Sequence, residues 1–185
     1  TFGDLVQKTE NGYRITPVEF VSDVAIADML TVVGFGENLV NILGKGTVGD
    51  IVYYDEAQEL VIAWQAYVAG ILEDTTFDNV FALVGFENEK VSAIFGERVL
   101  GELISVEPFA LHILEFLADV ELKALAGIAT QNEHLDAILG DKVVSDLVEK
   151  KEGGIALYPN NLIKDVKFAD IFALANFDNE KVTAL

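Results

Sequence analysis

The chain writes one stretch of itself twice, and that repetition limits its fold more than any other feature. Asp23 to Leu43, DVAIADMLTVVGFGENLVNIL, returns 142 positions later as DVKFADIFALANFDNEKVTAL, Asp165 to Leu185, without a gap. Identical residues include Asp23/Asp165, Val24/Val166, Ala27/Ala169, Asp28/Asp170, Phe35/Phe177, Val40/Val182 and Leu43/Leu185. The match also runs backwards, with GDLVQKTENGYRITP (Gly3 to Pro17) lying over SDLVEKKEGGIALYP (Ser145 to Pro159) at the same offset. Copies related in this way bury the same faces, so the expected architecture is a row of like units, each completing its neighbour's core.

A weaker copy of the motif recurs inside the long period. Ile26, Met29, Leu30 and Val33 fall at i, i+3, i+4, i+7, one face of a helix. The spacing returns as Phe77, Val80, Phe81, Val84, as Leu122, Leu125, Ala126, Ala129, and as Phe168, Ile171, Phe172, Ala175. A break and a second apolar helix follow each, carrying Val91, Ile94, Phe95, then Leu135, Ile138, Leu139, then Val182, Leu185. Asn88, Asn132 and Asn179 stand at the break as N-caps, each followed by a glutamate in the dipole-favoured first turn. Phe35, Phe86 and Phe177 are expected in equivalent buried places. The first three copies also share an ending: GKGTVGDIV from Gly44, GERVLGELI from Gly96 and GDKVVSDLV from Gly140.

Copies start at Asp23, Thr75, Asp119 and Asp165, spacings of 52, 44 and 46 residues, near the roughly 40–47 of helical solenoid repeats. The connectors make up the difference. YYDEAQELVIAWQAYVAGILED is expected as a helix with Leu60, Trp64, Tyr67, Val68 and Ile71 on one stripe, SVEPFALHILEFLA as a shorter one, and EKKEGGIALYPNNLIK as a loop. FGDLVQKTENG is expected as a helix end capped by Gly12, with a hairpin about Asn11-Gly12 as the rival; Pro17 opens the next helix. Short apolar runs such as VFALVG and IFALAN keep a strand reading open. The predicted fold is all-α: tandem helical repeats stacked as a solenoid or bundle. The predicted divisions are 1–22, the end of a preceding repeat; 23–74, 75–118 and 119–164, three repeats; and 165–185, an incomplete fourth.

Composition narrows the chemistry. A chain of 185 residues, 51% apolar, with three prolines, can bury roughly 70% of its unfolded surface. Having no cysteine, it forgoes disulfides, thiolate metal sites and thiol nucleophiles. A net charge of −19, with twelve scattered Lys and Arg, argues against nucleic-acid binding, and no uncharged run spans a bilayer. The acidity reads as solubility and self-repulsion. A start at Thr1 rather than methionine reads as an N-terminus that was processed, trimmed or simply not observed.

No catalytic constellation stands out. His112, inside ALHILEF, reads as a core-edge residue, and His134 occupies the slot of Lys90 and Lys181 in other copies. Thirty-one acids make chance pairs, none marked by spacing. GFGENL and GFENEK are helix breaks rather than phosphate loops, and no DxDxDG calcium loop is present. Trp64 with Tyr53, Tyr54 and Tyr67 forms an aromatic group that reads first as core.

The functional expectation is a non-enzymatic scaffold: a segment of a longer repetitive protein, or a subunit of a head-to-tail assembly in an extracellular, virion-type or other assembled setting. It needs no cofactor or metal. Its partners are copies of itself and other proteins, with no nucleic acid and no membrane span. Phe168, Phe172, Val182 and Leu185 would form one assembly face and Leu5 and Val6 the other, each lacking a neighbour within the chain. An acidic protein-binding or calcium-dependent adhesion module, and an acidic nucleic-acid mimic, are the alternatives.

Overall fold

A computed structural model describes residues 5–57 and 59–176. Thirteen helices and four two-stranded antiparallel sheets lie among them, so the all-α expectation is wrong. Every connector carries a β-hairpin. The first is β1 (Val6–Thr9) with β2 (Gly12–Ile15), in the register Val6↔Ile15 to Thr9↔Gly12. The second is β3 (Val52–Tyr54) with β4 (Leu60–Ile62), Val52 opposite Ile62. The third is β5 (Ile104–Val106) with β6 (Phe109–Leu111), and the fourth β7 (Val148–Lys151) with β8 (Gly154–Leu157).

The same order of elements follows each hairpin. In the first copy come α1 (Pro17–Val21), α2 (Ile26–Val33), α3 (Glu37–Leu43) and α4 (Val48–Ile51). In the second come α5 (Trp64–Asp74), α6 (Phe77–Val84), α7 (Glu89–Phe95) and a single 3-10 turn, Leu100–Glu102. The third has α8 (Ile113–Leu117), α9 (Leu122–Ala129), α10 (Glu133–Leu139) and α11 (Val144–Leu147); the fourth opens with α12 (Pro159–Ile163) and α13 (Phe168–Leu174). The short repeat therefore survives as a mixed unit: hairpin, connecting helix, two amphipathic helices, short turn.

Four corrections follow. The stretch SVEPFALHILEFLA, expected as a short helix, is helical only from Ile113, because Ser105–Val106 and Phe109–Leu111 lie in strands. The stretch expected as one helix from Tyr53 is helical only from Trp64, because Tyr53–Tyr54 and Leu60–Ile62 are strands. The supposed helix end capped by Gly12 is the first hairpin, whose Glu10-Asn11 turn returns the chain; Leu5 accepts the Thr16 amide at 2.8 Å. The stretch expected as a loop is the fourth hairpin, turned by Glu152-Gly153. VFALVG and IFALAN are helical.

Each of the first three copies is shut by one isolated bridge: Ala25↔Thr47, Thr76↔Val99 and Glu121↔Val143. Paired amide bonds reinforce it. Ile26 donates to Gly46 and Val48 to Val24 in the first copy, at 3.1 and 3.0 Å. Phe77 to Arg98 and Leu100 to Thr75, both 2.9 Å, do so in the second; Leu122 to Lys142 and Val144 to Val120, at 2.9 and 3.0 Å, in the third. The first amphipathic helix ends on Gly34 or Gly85 in the left-handed conformation, at φ 91° and 66°. Asn176, the same position in the fourth copy, takes φ 51°, a region that asparagine tolerates better than most residues. Asn88 and Asn132 accept amides of their following helices at 3.0–3.2 Å, while Asn179 lies outside the described residues.

The chain divides into two compact units, Thr1–Glu87 with Arg98–Ala110, and Asn88–Glu97 with Leu111–Leu185. In the first, α3 packs on α2 and on α6, and the Asn38 side-chain amide donates to the Ala82 carbonyl at 3.1 Å. In the second, α7 packs on α9 and α10 on α13, and the Lys90 ammonium donates to the Gly127 carbonyl at 2.6 Å. Ala82 and Gly127 are equivalent positions, so both units join the second helix of one copy to the first of the next. Phe95 stacks on buried Phe116 with centroids 5.7 Å apart. Ile26, Ile42 and Ile71 anchor the first unit's core; Phe116 and Val120 anchor the second's.

The helix faces are narrower than their spacing implies. Val33 and Val84, the last residues of their stripes, are exposed. Phe35 and Phe86 do share an environment, but at 46% and 42% exposed they are not the buried pair expected: they follow the left-handed turn at the helix end, and the Phe86 ring rests on Phe81, centroids 5.1 Å apart. Phe177 lies outside the described residues.

Candidate functional site

The expected assembly residues are only partly placed. Phe168 and Phe172 stack on one face of α13 with centroids 6.2 Å apart; Phe168 is 69% exposed and Phe172 half-buried. Leu5 and Val6 are half-buried at the entry to the first hairpin and are engaged in its pairing. Val182 and Leu185 lie outside the described residues.

The hairpins carry a surface that the motif analysis missed. The second strands read G-Y-R-I-T, E-L-V-I-A, P-F-A-L-H and G-I-A-L-Y, so an apolar residue sits at every other position. Side chains two apart on a strand share a face. Those residues are Tyr13 and Ile15, Leu60 and Ile62, Phe109 and Leu111, Ile155 and Leu157, and all eight are 54–76% exposed. Isolated exposed apolar residues are ordinary, but a pair in the same place in four copies is a patterned feature. Aligning the four connectors would have revealed it; reading the second as one long helix hid it.

One copy departs from the others. Pro17, Ile113 and Pro159 stand nine residues before the next helix start, but Trp64 stands thirteen before Phe77. The four extra residues, about one helical turn, lengthen α5, and within the first unit a cleft of about 570 Å³ runs along it. Gln65, Ala66, Ala69, Leu72 and Glu73 form the floor, one stripe of the helix. Val61 to Ala63 line the cleft on one strand, and Ile104 to Glu107 on another. Gly101 lets the 3-10 turn lie against α5, since a Cβ there would sit 3.3 Å from the Glu73 Cα and the Leu72 carbonyl. On the same helix the Tyr67 hydroxyl donates to the Leu43 carbonyl, and burial pushes the phenol pKa up.

Carboxylates cap the short turns and pair with lysines. Asp50, Glu102 and Asp146 accept the amides of Thr47, Val99 and Val143 at 2.7, 3.5 and 2.9 Å, capping the short turns. The Thr47 amide and hydroxyl hold the Asp50 pKa below its usual range. Hydrogen bonds from Lys150, from Lys123, and from Lys151 with Tyr158 lower Glu115, Asp141 and Glu149 respectively. Lys123 and Lys151 are raised by the same contacts. All are exposed ion pairs, whose attraction water and salt largely screen. His112 is half-buried at the start of α8, and His134 is exposed in the first turn of α10. Among the described residues, no three His, Asp or Glu side chains are grouped to hold a metal ion, and no helix is long and apolar enough to cross a membrane. Trp64 and Tyr53 are exposed, and Arg14 lies 5.8 Å over the ring of half-buried Tyr54.

Comparisons with protein-family models, with curated proteins and with solved structures find no match.

Proposed function

We propose that this chain is a non-enzymatic, repeat-built scaffold that works through protein contacts, first of all with other copies of itself, and that its hairpins are the contact surface. The observation that supports this is the apolar pair on the second strand, exposed in all four copies. None of the eight side chains is charged, so these strands offer places where two chains of net charge −19 can approach without facing carboxylate against carboxylate. Two-stranded sheets also leave backbone edges open to pairing with another chain.

Sedimentation equilibrium over a concentration series tests the reading. The wild-type chain is expected to self-associate. A variant with Tyr13, Ile15, Leu60, Ile62, Phe109, Leu111, Ile155 and Leu157 all changed to Thr, which keeps strand propensity, is expected to stay monomeric with unchanged circular dichroism. A wild-type chain still monomeric at about 1 mM, where a 4 kcal/mol association would show, would overturn the proposal.

A further inference from the structure

The cleft runs along the lengthened α5, and a surface that all copies share leaves it unexplained. Its volume, about 570 Å³, is that of a ligand site. Three properties define what would fit. The middle of its floor is Ala66 and Ala69, so a main chain can lie close to the helix. One wall is β4, and the register of that hairpin fixes which groups are open. The Ala63 amide donates to Ile51 and the Asp55 amide to Glu59, so Tyr53 and Val61 form the hydrogen-bonded pair between them. By antiparallel alternation the N–H and C=O of Leu60 and Ile62 then point away from β3. The charged side chains of the lining are Glu73 and Glu107, both acidic, and neither has an ion-pair partner among the described residues.

We infer that this cleft binds an extended peptide segment carrying lysine or arginine, which adds as a strand to the open edge of β4 and places a cation between Glu73 and Glu107. Edge addition supplies the main-chain bonds, and the two carboxylates select the charge. Ile62 packs against the incoming aliphatic side chains.

The sole tryptophan, Trp64, adjoins the lining residues Ala63 and Gln65 and gives a fluorescence readout. The probe is an N-acetylated, C-amidated peptide of alternating valine and lysine, titrated into the wild-type chain. Saturable binding is expected, weakened about five- to tenfold by Glu73→Gln with Glu107→Gln, two exposed charges. Ala69→Leu, which fills the floor, and the same peptide N-methylated along the edge that faces β4 should each lose about tenfold or more. No saturation by the unmodified peptide would overturn the inference. Equal binding of the N-methylated peptide, or of spermine in its place, would overturn strand addition and with it the peptide assignment. These variants should leave self-association through the hairpins unchanged, and the Thr substitutions at Tyr13, Ile15, Phe109, Leu111, Ile155 and Leu157 should leave the titration unchanged, so either reading can fail alone.

Discussion

Helix α5 and its five-residue counterpart α8 fill the same slot in successive copies, yet they bury themselves differently. The fourth residue of α8 is Phe116, buried and stacked on Phe95. The fourth residue of α5 is Tyr67, half-buried and tied through its hydroxyl to the last carbonyl of α3. A second anchor, Ile71, comes one turn later in α5 and has no equivalent in α8. The position that closes each slot is Val120 after α8 and Thr75 after α5. Both backbones carry the closing bond, from Val144 to Val120 and from Leu100 to Thr75. Thr75 is only 1% exposed and its hydroxyl has no partner among the described residues. The shorter helix relies on one large ring, the longer on two moderate contacts and a polar tie, and one buried hydroxyl goes unsatisfied.

That contrast can be broken most severely at its ring. Phe116→Ala should cost about 3–5 kcal/mol in urea denaturation; a loss under about 1 kcal/mol would show that α8 does not depend on it. The closing position comes next. Val120→Thr should lose about 1–3 kcal/mol by adding the unpaired hydroxyl already present at Thr75. Thr75→Val should gain about 1 kcal/mol, the residue being valine in the other three copies. A Thr75→Val variant less stable than wild type would mean that the hydroxyl is satisfied after all. Tyr67→Phe should cost about 1 kcal/mol, the net worth of a hydrogen bond, and an unchanged melting temperature would remove the polar tie from the account.

The smallest effects are in pH. The Tyr67 phenol is raised, so its contribution is full below about pH 10 and fades as pH climbs through the raised value. Within α8 the Glu115 carboxylate pKa is lowered by its bond from Lys150, so its contribution is present above about pH 4.5 and fades as pH falls through the lowered value. A pH series of melting temperatures for Glu115→Gln should therefore converge on wild type in acid, and one for Tyr67→Phe should converge in alkali.

Much of this was legible in the sequence, and the failures share a cause. The 3.6-residue spacing gives the paired helices because each lays a continuous apolar stripe on its neighbour, and Gly34, Gly85 and Asn176 mark where those stripes stop. The later three hairpins escaped, and the first stood only as a rival reading, because three- or four-residue strands leave only two alternating apolar residues, and those point outward rather than into a core. Leu60 and Trp64 then fall at helical spacing by coincidence, which is why β4 and α5 read as one element. The cleft was beyond reach for another reason: it depends on the four additional residues of α5, visible as a spacing of 52 against 44 and 46, and on small side chains whose significance appears only when the strands beside them are known.

The isolated bridges carry a kinetic consequence. Each joins residues only 22 or 23 positions apart: Ala25 with Thr47, Thr76 with Val99, Glu121 with Val143. Closing so short a loop costs little chain entropy, and contacts that are near in sequence form early. A copy can shut its own clasp before its neighbours are ordered, so the chain need not find one global arrangement at once. The same locality acts in reverse, since a clasp that closes alone can open alone. Amide exchange at Val48, Leu100 and Val144 would then report three separate openings rather than a single unfolding event.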